Sequence, residues 1–321
     1  MPQVYTPKPT VLPAEEFDAS ADAATLRAAM KGFGTDEQAI IDVLCARSNC
    51  QRQQISAKYS EELGRDLLQD LKSELSGNLE NVVLGLMLPP LNYQCHHLFK
   101  AMDGFGTNER TLIEVICSQS SEQLQQIAKL YEELYNRPLV EHVCSETSGD
   151  LRRLLTLLLT TARDPPSKVD RDLAEQQAKQ IFEAGEANWG TEESTFSKIL
   201  TRSSFEQLEL LFDEYKKLTQ RAIEQALNAE LSGKFYEALS AIVEYVRSPP
   251  RFFAKRLYEA MRGLGTDDST LIRIIVSRSE VDLQNIKEEF ERMYSKTLEN
   301  AVKSETSGDY GRILCALIGK P

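Results

Sequence analysis

Apolar positions along the chain recur with helical spacing. In "DEQAIIDVLCAR", from Asp36 to Arg47, the residues Ala39, Ile40, Val43 and Leu44 fall on one stripe, and Phe205 to Tyr215 repeats the pattern. Apolar residues spaced three and four apart predict amphipathic helices packed on a core. No segment alternates long enough to predict a strand. Proline doublets punctuate the pattern at Pro89-Pro90, Pro165-Pro166 and Pro249-Pro250. Proline lacks an amide donor and clashes with the preceding turn, so helices end there. An all-α fold follows, with about five short helices between successive breaks.

The helical pattern is written four times. "MKGFGTDE" (Met30 to Glu37) returns as "MDGFGTNE" (Met102 to Glu109), as "MRGLGTDD" (Met261 to Asp268), and more loosely as "EANWGTEE" (Glu186 to Glu193). The second loop glycines, Gly34, Gly106, Gly190 and Gly265, lie 72, 84 and 75 residues apart. An "E-[LT]-S-G" motif follows each one, and its acid (Glu74, Glu146, Glu230, Glu305) comes 40 residues after the glycine every time. Spacing between copies varies, whereas spacing within a copy does not, so loop and acid stand in a fixed geometric relation.

The copies are bounded at 16–89, 90–165, 166–249 and 250–321, behind a short tail at 1–15. Thr35, Thr107, Thr191 and Thr266 precede acidic or amide residues and are predicted N-caps. "ARDPPSKVDRDLAEQQ" in the longest interval is predicted to be an extended connector between two pairs of copies. The tail has prolines at 2, 7, 9 and 13 and reads as disordered.

Charge narrows the function. At a formal −12, the 321-residue chain repels nucleic acid and anionic membranes through its net field, so a negatively charged partner needs a bridging cation. Six cysteines are too few for a disulfide framework; Cys45 and Cys117 sit at equivalent helix positions as small core residues, and a reducing, cytoplasmic setting is expected. No signal peptide is expected. Asn81 to Phe99 has no charged residue, but Pro89-Pro90, Asn92, Gln94, His96 and His97 argue against a membrane span. His96, His97 and His142 show no ligand spacing. No phosphate loop and no nucleophile–base pair emerges, so no enzyme is expected.

Alone, each motif reads as ordinary capping, a glycine turn into a helix or a helix end with its glycine. Together they read as a calcium site. Glycines allow successive carbonyls to converge on one point. Ca²⁺ takes about 6–8 oxygens, often with a bidentate carboxylate. Three loop carbonyls and one glutamate supply about five of these, leaving room for water or a ligand oxygen. Such a site is weak alone, at roughly 10⁻⁴–10⁻³ M, and a lipid phosphate oxygen would complete it. No EF-hand loop is present.

The four "G-x-G-T" or "W-G-T" loops, each with its "E-[LT]-S-G", and the last-copy stretch "SRSEVDLQNIKEEFERMYSKTLENAVKSETSGDY", resemble the annexin family from about Glu16 to Pro321. The resemblance implies a curved disc of four annexin-type repeats, with calcium loops on its convex face. It also implies reversible, calcium-dependent binding to acidic phospholipid membranes, serving membrane organisation or trafficking. The ligands it implies are Met30, Gly32, Gly34 and Glu74; Met102, Gly104, Gly106 and Glu146; and Met261, Gly263, Gly265 and Glu305. In the third copy, where Asn188 replaces the first glycine, they are Gly185, Asn188, Gly190 and Glu230. The loop tips Phe33, Phe105, Trp189 and Leu264 are candidates for membrane contact. The family's central passage is only partly matched: Glu114 and Arg273 fit, while Gln94 and Gln119 stand where charges are expected. The expected location is cytoplasmic, with peripheral membrane association when calcium rises and a protein partner engaged through the tail. The competing reading is a helical-repeat interaction scaffold whose glycine loops are hinges.

Overall fold

The amphipathic stripes become twenty helices among the described residues, with no strand there. The structure, a computed structural model, describes residues 6–32, 34–165, 169–185 and 192–319. The first copy holds α1 (Ala19–Ala29), α2 (Glu37–Cys45), α3 (Asn49–Leu63), α4 (Leu67–Glu74) and α5 (Gly77–Met87). The second holds α6 (Pro90–Met102), α7 (Glu109–Cys117), α8 (Ser121–Tyr135), α9 (Leu139–Glu146) and α10 (Gly149–Thr160). The third holds α11 (Arg171–Ala184), α12 (Glu193–Arg202), α13 (Phe205–Thr219), α14 (Ile223–Glu230) and α15 (Gly233–Arg247). The fourth holds α16 (Pro249–Met261), α17 (Asp268–Arg278), α18 (Leu283–Tyr294), α19 (Leu298–Glu305) and α20 (Gly308–Ile318).

Local chemistry sets the boundaries. Ser48 and Ser120 close capping boxes with Gln51 and Gln123 at the starts of α3 and α8. The same helices, and their counterparts α13 and α18, end in a left-handed residue: Gly64, Asn136, Gln220 and Ser295. The threonines predicted as N-caps are not the caps. The cap is the next residue, and Asp36, Asn108 and Asp267 accept from the amides of Ala39, Thr111 and Thr270. A carboxylate or amide oxygen one residue later reaches the N3 amide, which frees the threonine hydroxyl for another partner.

The helices form two compact units, Met1–Tyr93 with Phe253–Pro321, and Gln94–Phe252. The first copy is therefore paired with the fourth, and the second with the third. In the first unit α2 packs on α20, and α5 on α17 and α20. Ile40, Leu44, Val83, Ile275, Leu314 and Leu317 are buried in its core. In the second unit α7 packs on α15, and α10 on α7, α12 and α15, around Leu112, Ile116, Leu154 and Ile242.

The expected connector between two pairs of copies thus lies inside one unit. Its described start is pinned to the third copy: the Asp164 amide donates to the Arg202 carbonyl at 2.7 Å, and Arg163 donates to the carbonyls of Leu200 and Ser203 at 2.7 Å. The Arg163 guanidinium also lies 4.7 Å from the Phe205 ring centroid. Cys45 and Cys117 do end equivalent helices, α2 and α7, and burial pushes the Cys45 thiol up to about 12.

The tail departs from the expectation of disorder over its described part. The Lys8 carbonyl accepts from the Gln284 amide at 3.0 Å, and the Ser279 carbonyl accepts from the amides of Thr10 and Val11. The Thr10 hydroxyl donates to the Leu317 carbonyl at 2.6 Å. Ala14 exchanges two bonds of 2.9 Å with the Gln51 side-chain amide. Residues 6–14 therefore lie along the fourth copy and reach the first, within one unit. Thr10→Val keeps the side-chain shape and removes the hydroxyl. It is expected to lower the unfolding free energy by about 1 kcal/mol, read as a lower urea midpoint at unchanged slope. A midpoint equal to that of the parent would show that this contact stabilises nothing.

Candidate functional site

Each loop is closed by one backbone bond. The amide of the N-cap residue donates to the carbonyl of the alanine before the loop: Asp36 to Ala29 at 2.9 Å, and Asn108 to Ala101, Glu192 to Ala184 and Asp267 to Ala260, each at 2.8 Å. Three closures join residues seven apart, and the third joins residues eight apart. The third copy therefore closes over one more residue than the others, in line with its looser sequence. Asn188, Trp189, Gly190 and Thr191 lie outside the described residues, as does Phe33.

In the other three loops both glycines have positive φ, from 84° to 121° (Gly32 and Gly34, Gly104 and Gly106, Gly263 and Gly265). A Cβ on any of the six would meet nothing within 4 Å. Backbone conformation, not crowding, is what requires glycine there. Met30, Met102 and Met261 bury their side chains at the loop entrance and leave only their backbone for the site.

The four glutamates occupy one structural position. Glu74, Glu146, Glu230 and Glu305 are the last residues of α4, α9, α14 and α19. The glycine that follows each opens the next helix with φ between 58° and 64° (Gly77, Gly149, Gly233, Gly308), turning the chain sharply behind the acid. Loop and acid meet through the threonine. Thr35 Oγ1 donates to Glu74 Oε2 at 3.0 Å, Thr107 Oγ1 to Glu146 Oε2 at 3.0 Å, and Thr266 Oγ1 to Glu305 Oε2 at 3.2 Å. The sequence reading missed this role, although the threonine-to-glutamate separation is 39 residues in each pair. In the third copy a Cβ at Gly185 would lie 3.3 Å from Glu230 Cγ, so the loop entrance and the acid are again adjacent.

The arrangement favours a hard cation. A carboxylate at a helix C-terminus faces the negative end of the helix dipole, an unfavourable place that a cation relieves. Among the described residues no group of three His, Cys, Asp or Glu side chains could hold a metal. Thiolate or imidazole coordination is thus not built there. The donors on offer are one carboxylate and backbone carbonyls, a set that suits Ca²⁺. Phe105 and Leu264 are fully exposed at their loop tips, at 113% and 109% of reference. Glu114 and Arg273 are buried, each in its own unit.

A supporting layer lies one turn before each acid, and it differs between copies. In the first copy Asp70 accepts from Arg65 Nε and Nη2 at 2.6 Å each, and from the Tyr59 hydroxyl at 2.6 Å. In the second, His142 Nδ1 lies 2.8 Å from the Tyr131 hydroxyl. The fourth has Ala301 at this position.

A family model described as Annexin matches residues 21–86, 93–158, 176–242 and 252–317. The chain is an annexin. It is 58% identical to annexin B10 of Drosophila melanogaster, over 98% of this chain and 99% of that one. The solved structure of annexin III superposes with a TM-score of 0.95 at 44% identity, covering 98% and 97% of the two chains. A calcium-bound annexin (Sm)1 matches with a TM-score of 0.87 at 34% identity, over 98% and 94%. Calcium-dependent phospholipid binding is a general property of annexins. No helix among the described residues of this annexin is long and apolar enough to cross a membrane.

In this annexin Asp70 is the supporting group whose titration is set by its partners. The Arg65 bonds hold its carboxyl below the ordinary 3.8, against the opposing effect of burial. Its stabilising effect is present above that ordinary value and is lost as pH falls through the depressed one. Asp70→Asn is expected to destabilise the fold by roughly 1.5–3 kcal/mol near neutrality and to flatten the loss of stability on acidification. Denaturant titrations at pH 7 and at the acid limb check both. An unchanged acid limb would remove Asp70 from the account.

Proposed function

We propose that this annexin binds acidic phospholipid membranes through Ca²⁺ ions held between its loops and helix-terminal glutamates. Lipid phosphate oxygens would complete each coordination shell. The observation that carries this reading is the threonine–glutamate bond, which brings each glycine loop onto its acid in three copies. Met30, Gly32, Gly34 and Glu74 hold one ion. Met102, Gly104, Gly106 and Glu146 hold a second, and Met261, Gly263, Gly265 and Glu305 another. Gly185, Asn188, Gly190 and Glu230 form the third-copy site.

Calcium supplies the positive charge that lets phosphate approach an acidic chain. Four ions change the formal charge from −12 to −4. The exposed Phe105 and Leu264 then meet the interfacial region, where burying one such side chain contributes roughly 1.5–3 kcal/mol. Phe33 and Trp189 are assigned the same role by position. The association is peripheral and reversible, non-enzymatic, and suited to organising membranes or their traffic. A protein partner for the tail would have to compete with the bonds that hold residues 6–14.

Four weak sites on one chain share the work through effective concentration, so no single site is indispensable. Sedimentation with phosphatidylserine vesicles is expected only when calcium is present, and a chelator reverses it. Glu74→Gln raises the calcium needed for half-binding, and adding Glu305→Gln raises it further. Thr107→Val keeps the carboxylate but removes its anchor, and raises the calcium requirement by a smaller factor, of order the loss of one hydrogen bond at about 1 kcal/mol. Sedimentation indifferent to calcium would sink the reading. Complete loss from Glu74→Gln alone, with the fold intact, would overturn the shared-site arrangement.

A further inference from the structure

The four copies offer an internal comparison at the supporting layer. In the second copy Phe99, Tyr131 and Tyr135 form a ring cluster: Phe99 stacks on Tyr135 with centroids 4.1 Å apart, and Tyr131 lies 4.8 Å from Tyr135. The imidazole of His142 packs into this cluster, 6.1 Å from the Phe99 ring and 6.2 Å from the Tyr131 ring. It is buried, and is hydrogen-bonded to the Tyr131 hydroxyl.

The fourth copy builds the same cluster without the imidazole. Tyr258 stacks on Tyr294 with centroids 3.8 Å apart, and Phe290 lies 5.1 Å from Tyr294. Ala301 stands four residues before Glu305, as His142 stands four before Glu146. A cavity of about 110 Å³ opens beside these rings, walled by Tyr258, Met261, Phe290, Tyr294 and Ala301. For scale, an apolar cavity of roughly 150 Å³ takes up benzene.

We propose that this cavity is a binding site for a small, neutral aromatic ring of about imidazole size. It would be the free counterpart of the imidazole that the second copy supplies from its own chain. Ring size follows from the volume and from the side chain that occupies the equivalent place in the second copy. Flatness and aromaticity follow from the three rings that wall the cavity. Neutrality follows from the rim, where the Lys296 ammonium, bonded to Ser304 Oγ at 2.9 Å, and the Glu305 carboxylate offset each other. Phe290 stands where Tyr131 carries its hydroxyl, so the aromatic walls rather than a hydroxyl partner select the ring. The site adjoins Met261 and Glu305 but stands independently of the calcium reading.

Pyrazole is a suitable probe because it is neutral at pH 7 and matches imidazole in size. Saturation-transfer NMR on the full chain, in chelator so that calcium plays no part, is expected to show transfer to pyrazole. Ala301→His and Ala301→Leu both fill the cavity and are expected to abolish it, with circular dichroism confirming that they fold. Tyr131→Phe combined with His142→Ala recreates the fourth-copy pair in the second copy and is expected to increase the transfer. Absence of transfer to the parent chain, or transfer unchanged in both filled variants, would overturn the proposal.

Discussion

In the first, second and fourth copies a hydrogen bond joins the two halves of the site, from a loop threonine hydroxyl to the carboxylate that ends a helix 39 residues later. Its strength is modest, about 1 kcal/mol net for a typical bond, but its position is not. It links a segment whose shape depends on glycine dihedrals to a side chain with several free torsions. Without it the acid would sample rotamers, and the loop would have no side-chain tie to α4, α9 or α19. Everything around it serves that meeting. The N-cap amide fixes the length of the loop, the buried methionine fixes its entrance, and the glycine after the acid turns the chain so that the carboxylate ends its helix.

The same bond explains how a badly placed charge is tolerated. Each glutamate sits at the negative end of its helix, where the dipole opposes it by roughly 0.3–1 kcal/mol. A hydroxyl donor offsets that without neutralising it. The carboxylate is thus held in place but remains electrostatically unsatisfied, a state a divalent cation improves and a permanent ion pair would not. Lysine or arginine at the threonine position would make the acid more stable and leave nothing for a metal to gain. The lack of any three-acid cluster among the described residues points the same way. Binding by such a set is weak enough to be governed by a second partner.

How far the sequence revealed this depended on the range of the interactions. The glycine loops, the helix-terminal acids and the fixed spacing between them were legible because each copy repeats them and each rests on local backbone chemistry. The threonine was misread by one residue. Thr35 and Asp36 are both good N-caps, and only the position of Glu74 decides which one turns toward the helix. The pairing of the first copy with the fourth was invisible, because it depends on the apolar faces of α2, α5, α17 and α20 meeting across more than 180 residues, and any amphipathic helix offers such a face. Docking of the tail was equally hidden. Thr10 reaches Ser279 and Leu317, separations of 269 and 307 residues, and proline-rich composition argued for disorder instead.

Repetition also shows where the copies are free to differ. Ligand positions are nearly uniform, whereas the layer one turn beneath them holds Asp70, His142, Ala226 and Ala301 in turn. A charged network lies beneath Glu74 and a buried imidazole tied to the Tyr131 hydroxyl lies beneath Glu146, while small side chains lie beneath the other two acids. Identical donors on unequal supports need not be equivalent. A rigid support reduces the entropy lost when the loop closes on an ion, and an empty one leaves the loop more freedom to adjust. The residue four positions before each acid, more than the acid itself, is therefore where the four copies part company.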